Sequence, residues 1–225
     1  FDAHLESRIT SYYRKRTRAG YLSESGIEIA KLLMLKMDKI DPKAQVPPGS
    51  TDDDPWYEPA RQLKATGSVH EEKELGDGTI VLDIVTEQAY RGINTLKTEE
   101  LWEPILDQIG VPEDIWPDLI EAFLDWTDAD DEARPDGAET EDYYKSLKPP
   151  YKARNGDLFS VEELLMIKGF TRAIVEGGAL NPEDEDPVMI KSGGLKSLLT
   201  LYGDKVNVNS APYDVLLTLP SGPLG

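Results

Sequence analysis

Residues 125–144 read DWTDADDEARPDGAETEDYY, in which nine of twenty residues are Asp or Glu and only Arg134 is basic. Carboxylates crowded on a loop are hard oxygen ligands, and calcium takes about six to eight of them. Counted from Asp128 as position 1, Asp130 falls at 3, Glu132 at 5, Asp136 at 9 and Glu139 at 12, the liganding positions of an EF-hand loop. The match is incomplete. Position 6, where the turn needs glycine, is Ala133, position 5 is Glu, and Pro135 stands at 8. The residues therefore suit a calcium loop of other geometry. Without cations these carboxylates repel one another, which raises their pKa values or unfolds the segment. The alternative is a solvated acidic loop whose charges stay apart in water. The apolar helical pattern before the loop and Tyr143-Tyr144 after it pin both ends, which favours calcium.

Little else in the chain points to chemistry. A glycosidase-like carboxylate pair needs two carboxyls in different environments at a fixed separation, and no such pair is marked. No phosphate-binding glycine loop, serine elbow or zinc motif occurs. The absence of cysteine excludes disulfides, thiol nucleophiles and thiolate metal sites. The two histidines, His4 and His70, lie far apart in polar surroundings and read as surface residues. No catalytic residue is expected, and the chain reads as a non-enzyme. Its net charge of −19 and pI near 4.4 repel phosphate backbones and anionic lipid. No apolar run is long enough to span a bilayer, and no signal peptide is visible.

The elements that must position the acidic loop can be read from periodicity. Residues 3–38 form one long helical pattern through Leu5, Ile9, Tyr12, Ala19, Leu22, Gly26, Ala30, Leu33 and Met37, with no proline. At ~1.5 Å per residue it is a rod of roughly 50 Å. Arg14, Lys15, Arg16 and Arg18 make its early half basic, as a solvated face or as a collar near a membrane surface. Residues 42–60 hold five prolines and read as a loop or linker. Strands follow at 67–75 and 79–86, the second with Ile80, Leu82 and Ile84 on one face, joined by a hairpin turn at Leu75-Gly76-Asp77-Gly78. Helices are predicted at 99–109, capped by Thr98, and from Pro112 onward, with a stripe of Trp116, Leu119, Ile120, Phe123 and Leu124. A capping box, Ser160 with Glu163, opens a further helix, and others fall near 171–177 and 192–202. Gly92-Ile93-Asn94-Thr95-Leu96 and Val206-Asn207-Val208-Asn209-Ser210 echo one another, each an extended piece leading to a helix.

Several of these pieces together resemble the minor pseudopilin K family of bacterial type II secretion, the general secretion pathway protein K. They are Ser25-Gly26-Ile27-Glu28-Ile29-Ala30 and the segment Ile84 to Leu96. Leu124-Asp125-Trp126-Thr127-Asp128-Ala129-Asp130-Asp131 follows, with Gly137-Ala138-Glu139 and Tyr143-Tyr144. Ser160 to Leu165 with Lys168-Gly169, and Val206 to Pro212, complete the series in the family's order. The resemblance implies an α+β pseudopilin fold, a long N-terminal helix on a small antiparallel sheet, with a large inserted α-helical domain. The expected division is 1–90 for spine helix and first strands, 91–205 for the inserted domain, and 206–225 for the return to the pseudopilin body. It also implies a structural role at the pseudopilus tip, with minor pseudopilins of types I and J as partners. The family's calcium site, carried over by motif, would use Asp128, Asp130, Asp131, Glu139, Glu141 and Asp142, with Asp125 next in line, around one or two Ca2+ ions. Family members carry a hydrophobic segment that anchors them in the inner membrane, with the soluble part in the periplasm. That segment is absent from this sequence, which reads as a soluble fragment beginning midway through the spine helix, and the C-terminus reads as shortened.

Two rival classes remain. Residues 206–223 also resemble a helix-hairpin-helix DNA-binding unit, but 206–225 contain no Lys or Arg, so no nucleic-acid partner is expected. A calcium-dependent extracytoplasmic hydrolase would need a nucleophile or carboxylate pair converging in a cleft, and the sequence marks none.

Overall fold

The computed structural model describes residues 2–40 and 54–220. The chain forms two compact units, Phe1–Thr86 and Glu87–Gly225. In the first, α1 (Asp2–Met37) is the long helix that the apolar spacing predicts. Only its second half has a core to bury against. Leu33 is fully buried, and Leu22, Ile29 and Met37 pack beside it on Ile40, Ala60, Leu63, Val69, Ile80 and Leu82. Leu5, Ile9, Tyr12 and Tyr13 in the first half stay exposed. The basic residues of this half are exposed as well, and Arg18 pairs with Asp77 at the hairpin tip.

A second helix, α2 (Tyr57–Thr66), occupies the end of the stretch read from sequence as a proline-rich linker and the residues before the first predicted strand, where no element is predicted; residues 42–53 of that linker lie outside the described residues. Pro59 is the third residue of α2, where a helical N–H has no acceptor within the helix, so proline does no harm. The helix ends at Gly67, whose left-handed φ of 73° lets its N–H bond to the Leu63 carbonyl at 2.8 Å. Strands β1 (Ser68–Leu75) and β2 (Gly78–Val85) then pair antiparallel from Ser68↔Val85 to Leu75↔Gly78. The two-residue turn places Gly76 at φ +62°, a conformation that favours glycine. Ile80 and Leu82 are buried and Ile84 is partly buried, while Val81 and Val85 face outward, as the alternation requires.

The second unit is built on two amphipathic helices. Along α3 (Glu99–Ile109), Trp102, Ile105, Leu106 and Ile109 are buried; along α4 (Trp116–Thr127), Leu119, Ile120, Phe123 and Trp126 are. Trp102 packs edge-on against Phe123, ring centroids 4.6 Å apart. Short pieces close the unit. Strand β3 (Arg91–Gly92) pairs parallel with β6 (Leu199–Thr200), and β4 (Gly178–Ala179) pairs antiparallel with β5 (Met189–Ile190). Helices α5 (Arg172–Glu176) and α6 (Tyr213–Leu217) complete it, and Val215 and Val206 join its core.

Three local expectations change. Thr98 stands at the N-cap of α3 in extended conformation, but its side chain does not cap the helix. Ser160 makes no side-chain cap either. Residues Val161–Met166 are a 3-10 helix, and Glu163 accepts from the Phe159 N–H at 3.1 Å instead of from Ser160. The helix predicted at 192–202 is only a 3-10 turn, Gly194–Ser197, leading into β6. Gly193 and Gly194 at φ 85° and 49° start a tight reversal there rather than a regular helix. The two Asn-containing echoes also differ. Asn94 bridges to the Leu158 N–H and carbonyl at 2.9 and 3.2 Å, whereas Asn207 accepts from its own loop, from Asn209 N–H at 3.1 Å.

His70 faces Asp83 across the hairpin, Nδ1 to Oδ1 2.5 Å, and the bond to this carboxylate raises the imidazole pKa above its usual 6.5. A raised folded value means that the pair stabilises the hairpin fully below about pH 6.5. The contribution is lost as pH rises through the higher folded pKa. Both groups are well exposed, so the effect on stability is small. An NMR titration should place the His70 midpoint above 6.5, and Asp83→Asn should bring it back down. A midpoint that ignores the substitution contradicts the pairing.

Candidate metal centre

The acidic loop hangs on the last turn of α4. Asp125 lies on the helix's buried face and is completely inaccessible to solvent. Its carboxylate draws the loop back onto the helix by accepting from the Arg134 N–H at 3.1 Å and the Ala138 N–H at 2.8 Å, and it pairs with the Arg134 guanidinium. The same guanidinium reaches Asp128 Oδ2 at 2.6 Å. Gly137 stands where a Cβ would run into Asp125 Oδ2, so a side chain there would push the loop off its anchor. Lys168 comes from outside the acidic stretch and donates to the carbonyls of Asp136 and Gly137 at 2.9 and 3.1 Å.

Beyond Ala138 the chain turns inward. Glu139 is 1% exposed. Its carbonyl accepts the N–H groups of Tyr143 and Tyr144, both at 3.1 Å, which brings the two tyrosines under the loop. Tyr144 is buried against Trp126, rings 5.0 Å apart, and its hydroxyl accepts from the Lys168 N–H at 3.3 Å. Burial raises the Tyr144 pKa. Burial also pushes the Glu139 carboxyl up to about 7; the Thr140 N–H acts against this, and the charges of Asp125, Asp128 and Asp131 add to it.

Three buried side-chain atoms among the described residues have no hydrogen-bond partner: Asp128 Oδ1, Glu139 Oε1 and Asn155 Oδ1. All are oxygens, all can only accept when the carboxyls are ionised, and two belong to the acidic loop. Buried acceptors normally find donors, and a cation is one way to satisfy several at once. The donor set, carboxylate and amide oxygen, suits a hard cation such as Ca2+.

The sequence-predicted ligands divide. Asp128 and Glu139 each carry a buried oxygen without a partner, and the charges of Asp128 and Asp131 help to raise the Glu139 pKa; Asp131 is exposed and accepts from Asn155 Nδ2 at 2.9 Å. Asp130 turns into its own loop, Oδ1 accepting from the Glu132 N–H at 3.0 Å. Asp142 accepts from the Glu139 N–H at 3.0 Å, and Glu141 is exposed and pairs with Lys145. Among the described residues no three His, Asp or Glu side chains stand in a ready-made metal cage. Arg134, bridging Asp125 and Asp128, supplies positive charge in that place. Sequence reasoning missed Arg134 and Lys168 as loop fasteners, and it missed Asn155. No spacing signal links Lys168 and Asn155 to the loop, since contact at 24 to 32 residues' separation is set by the fold.

Residues 84–180, which include the loop and Asn155, match the family model for type II secretion system protein K. The match covers less than half of the chain and marks these residues as similar to protein K. A chain in the crystal structure of the GspK-GspI-GspJ complex from the enterotoxigenic Escherichia coli type 2 secretion system has a similar fold. The TM-score is 0.56 and the identity 16%, over 91% of this chain and 68% of that one. At that identity the likeness is one of fold, and the fold is the α+β pseudopilin fold that the sequence resemblance implied. No curated protein matches the chain. The protein K family is a structural component of a secretion system in the cell envelope. Among the described residues no helix is long and apolar enough to cross a membrane.

Asp125→Ala should destabilise the second unit by about 3 kcal/mol or more, because it strips the partner from Arg134 and from two backbone N–H groups. Gly137→Ala should cost about 1–3 kcal/mol through the clash with the same carboxylate. Denaturant titration checks both. Wild-type stability in either variant contradicts the anchoring role of Asp125.

Proposed function

We propose that this chain is a minor pseudopilin of type K. It acts at the tip of a type II secretion pseudopilus and assembles there with minor pseudopilins of types I and J. Its role is mechanical and non-catalytic. The observation that carries this reading is the protein K match over residues 84–180. The name of the similar complex supports the choice of partners, since its K, I and J proteins crystallised together. The exposed apolar residues of α1, Leu5, Ile9, Tyr12 and Tyr13, supply a surface for packing against neighbouring helices. In this reading the described part lies in the periplasm, and the protein works at the inner membrane.

Calcium has a place in the same proposal. Ca2+, as one ion or two, would bind the acidic loop through Asp128 and Glu139, whose unpartnered oxygens are the supporting observation. Asp131 is the next contributor, and Asp130, Glu141 and Asp142 would have to leave their present partners to take part. The ion would supply positive charge to a crowded set of carboxylates. Binding energy then becomes folding energy for the loop.

Thermal melts in chelator, in calcium and in magnesium test the ion. Calcium at ~100 times its dissociation constant should add about 2.7 kcal/mol and raise the melting temperature by several degrees, with magnesium doing less. Equal melts in chelator and calcium would remove calcium from the account. Size-exclusion chromatography with the cognate type I and J proteins tests the assembly. A stable ternary complex is expected, and three separate peaks would contradict the role.

A further inference from the structure

Asn155 lies outside the acidic loop, 13 residues beyond its last carboxylate, Asp142. It is nevertheless built into the loop's wall. Its Nδ2 donates to the Asp130 carbonyl and to Asp131 Oδ1, both at 2.9 Å. Both amide hydrogens are thereby used, and a flipped amide would set oxygen against oxygen at both contacts, so the orientation of the side chain is fixed. The remaining atom, Oδ1, is buried and has no partner.

The backbone is committed to the same arrangement. Asn155 is the one non-glycine residue with positive φ among the described residues, at 51°. Asparagine tolerates this left-handed conformation better than most residues. Its N–H donates to the Trp126 carbonyl at 3.0 Å, at the end of α4 where the acidic loop begins. The neighbouring Arg154 pairs with Glu163 and lies over the Phe159 ring at 4.0 Å, and Glu163 also accepts from the Trp126 indole at 3.0 Å. The segment is thus fastened on both sides, and the side chain with the unpaired oxygen is held against the loop by its Nδ2 bonds to Asp130 and Asp131.

We propose that Asn155 Oδ1 is a neutral ligand to the cation of the acidic loop, so that the ion staples the loop to the 153–158 segment. The inference rests on the calcium reading above. A neutral oxygen suits the position. Glu139 already lies beside Asp125, Asp128 and Asp131, and a further carboxylate would add repulsion where an amide adds a ligand without charge. Calcium sites regularly combine carboxylates with amide and carbonyl oxygens in this way. The staple makes ion binding report on packing beyond the loop, because Asn155 is tied to the end of α4 and adjoins the Arg154–Glu163 pair.

Two variants test it by calorimetric titration of chelator-treated protein with calcium. Asn155→Gly removes the oxygen and keeps the left-handed backbone free of strain, while Asn155→Asp keeps the oxygen but loses both Nδ2 bonds. Asn155→Gly should weaken calcium binding by about tenfold or more, and Asn155→Asp should bind calcium more tightly than Asn155→Gly. Circular dichroism in chelator shows that the variants are folded. Amide hydrogen exchange over residues 153–158 should slow on adding calcium to the wild type and not to Asn155→Gly. Wild-type affinity in Asn155→Gly overturns this inference alone. A wild-type protein that takes up no calcium overturns the calcium reading and this inference with it.

Discussion

Glu139 buries a carboxylate oxygen with no partner beside three other acidic residues, and the second unit is organised around that burden. The backbone cannot release it. The Glu139 carbonyl holds the turn to Tyr143 and Tyr144, and those tyrosines pack under α4 against Trp126. Asp125 fixes the other end of the loop to the same helix. A loop fastened at both ends to a packed core leaves Asp130, Asp131, Glu132, Asp136, Glu141 and Asp142 in solvent but holds Asp125 and Glu139 away from it, where their charges are costly. Arg134 offsets part of the charge, at Asp125 and Asp128. Glu139 is left to rise towards neutrality or to meet a cation.

The first unit follows a different logic. Its core is small, made where the second half of α1 crosses α2 and the hairpin, and the first half of α1 leaves apolar side chains in solvent. A free helix of that kind draws much of its stability from packing on neighbours. The proposed assembly supplies such neighbours. The two units therefore differ: the first leaves apolar side chains in solvent, and the second leaves buried acceptor oxygens without partners.

Elements with strong periodicity were legible in the sequence. The spacing from Leu22 to Met37 gave α1, the alternation of Ile80, Leu82 and Ile84 gave β2, and the stripe from Trp116 to Leu124 gave α4. Helix α2 was hidden because Pro55 and Pro59 look like linker residues, although one sits in a helix's first turn, where proline is harmless. The Ser160 capping box failed because Glu163 is claimed by Arg154 and Trp126, contacts made across the fold. At the site, composition was enough to mark the loop that holds Asp128 and Glu139, each with a buried oxygen lacking a partner, and the exposed Asp131. It did not separate them from Glu141, which has Lys145 four residues away, or from Asp142, which serves a local turn. Asn155 was invisible because its relation to the loop exists only in three dimensions.

The most direct test of the account is luminescence of terbium, a calcium-sized cation, added to the chelator-treated protein. Trp126, Tyr143 and Tyr144 flank the loop and are placed to sensitise an ion bound there. The account predicts aromatic-sensitised terbium emission that calcium displaces and that Asp128→Asn together with Glu139→Gln abolishes in a folded protein. Absence of sensitised emission, or emission that survives both substitutions, would contradict a cation at these carboxylates.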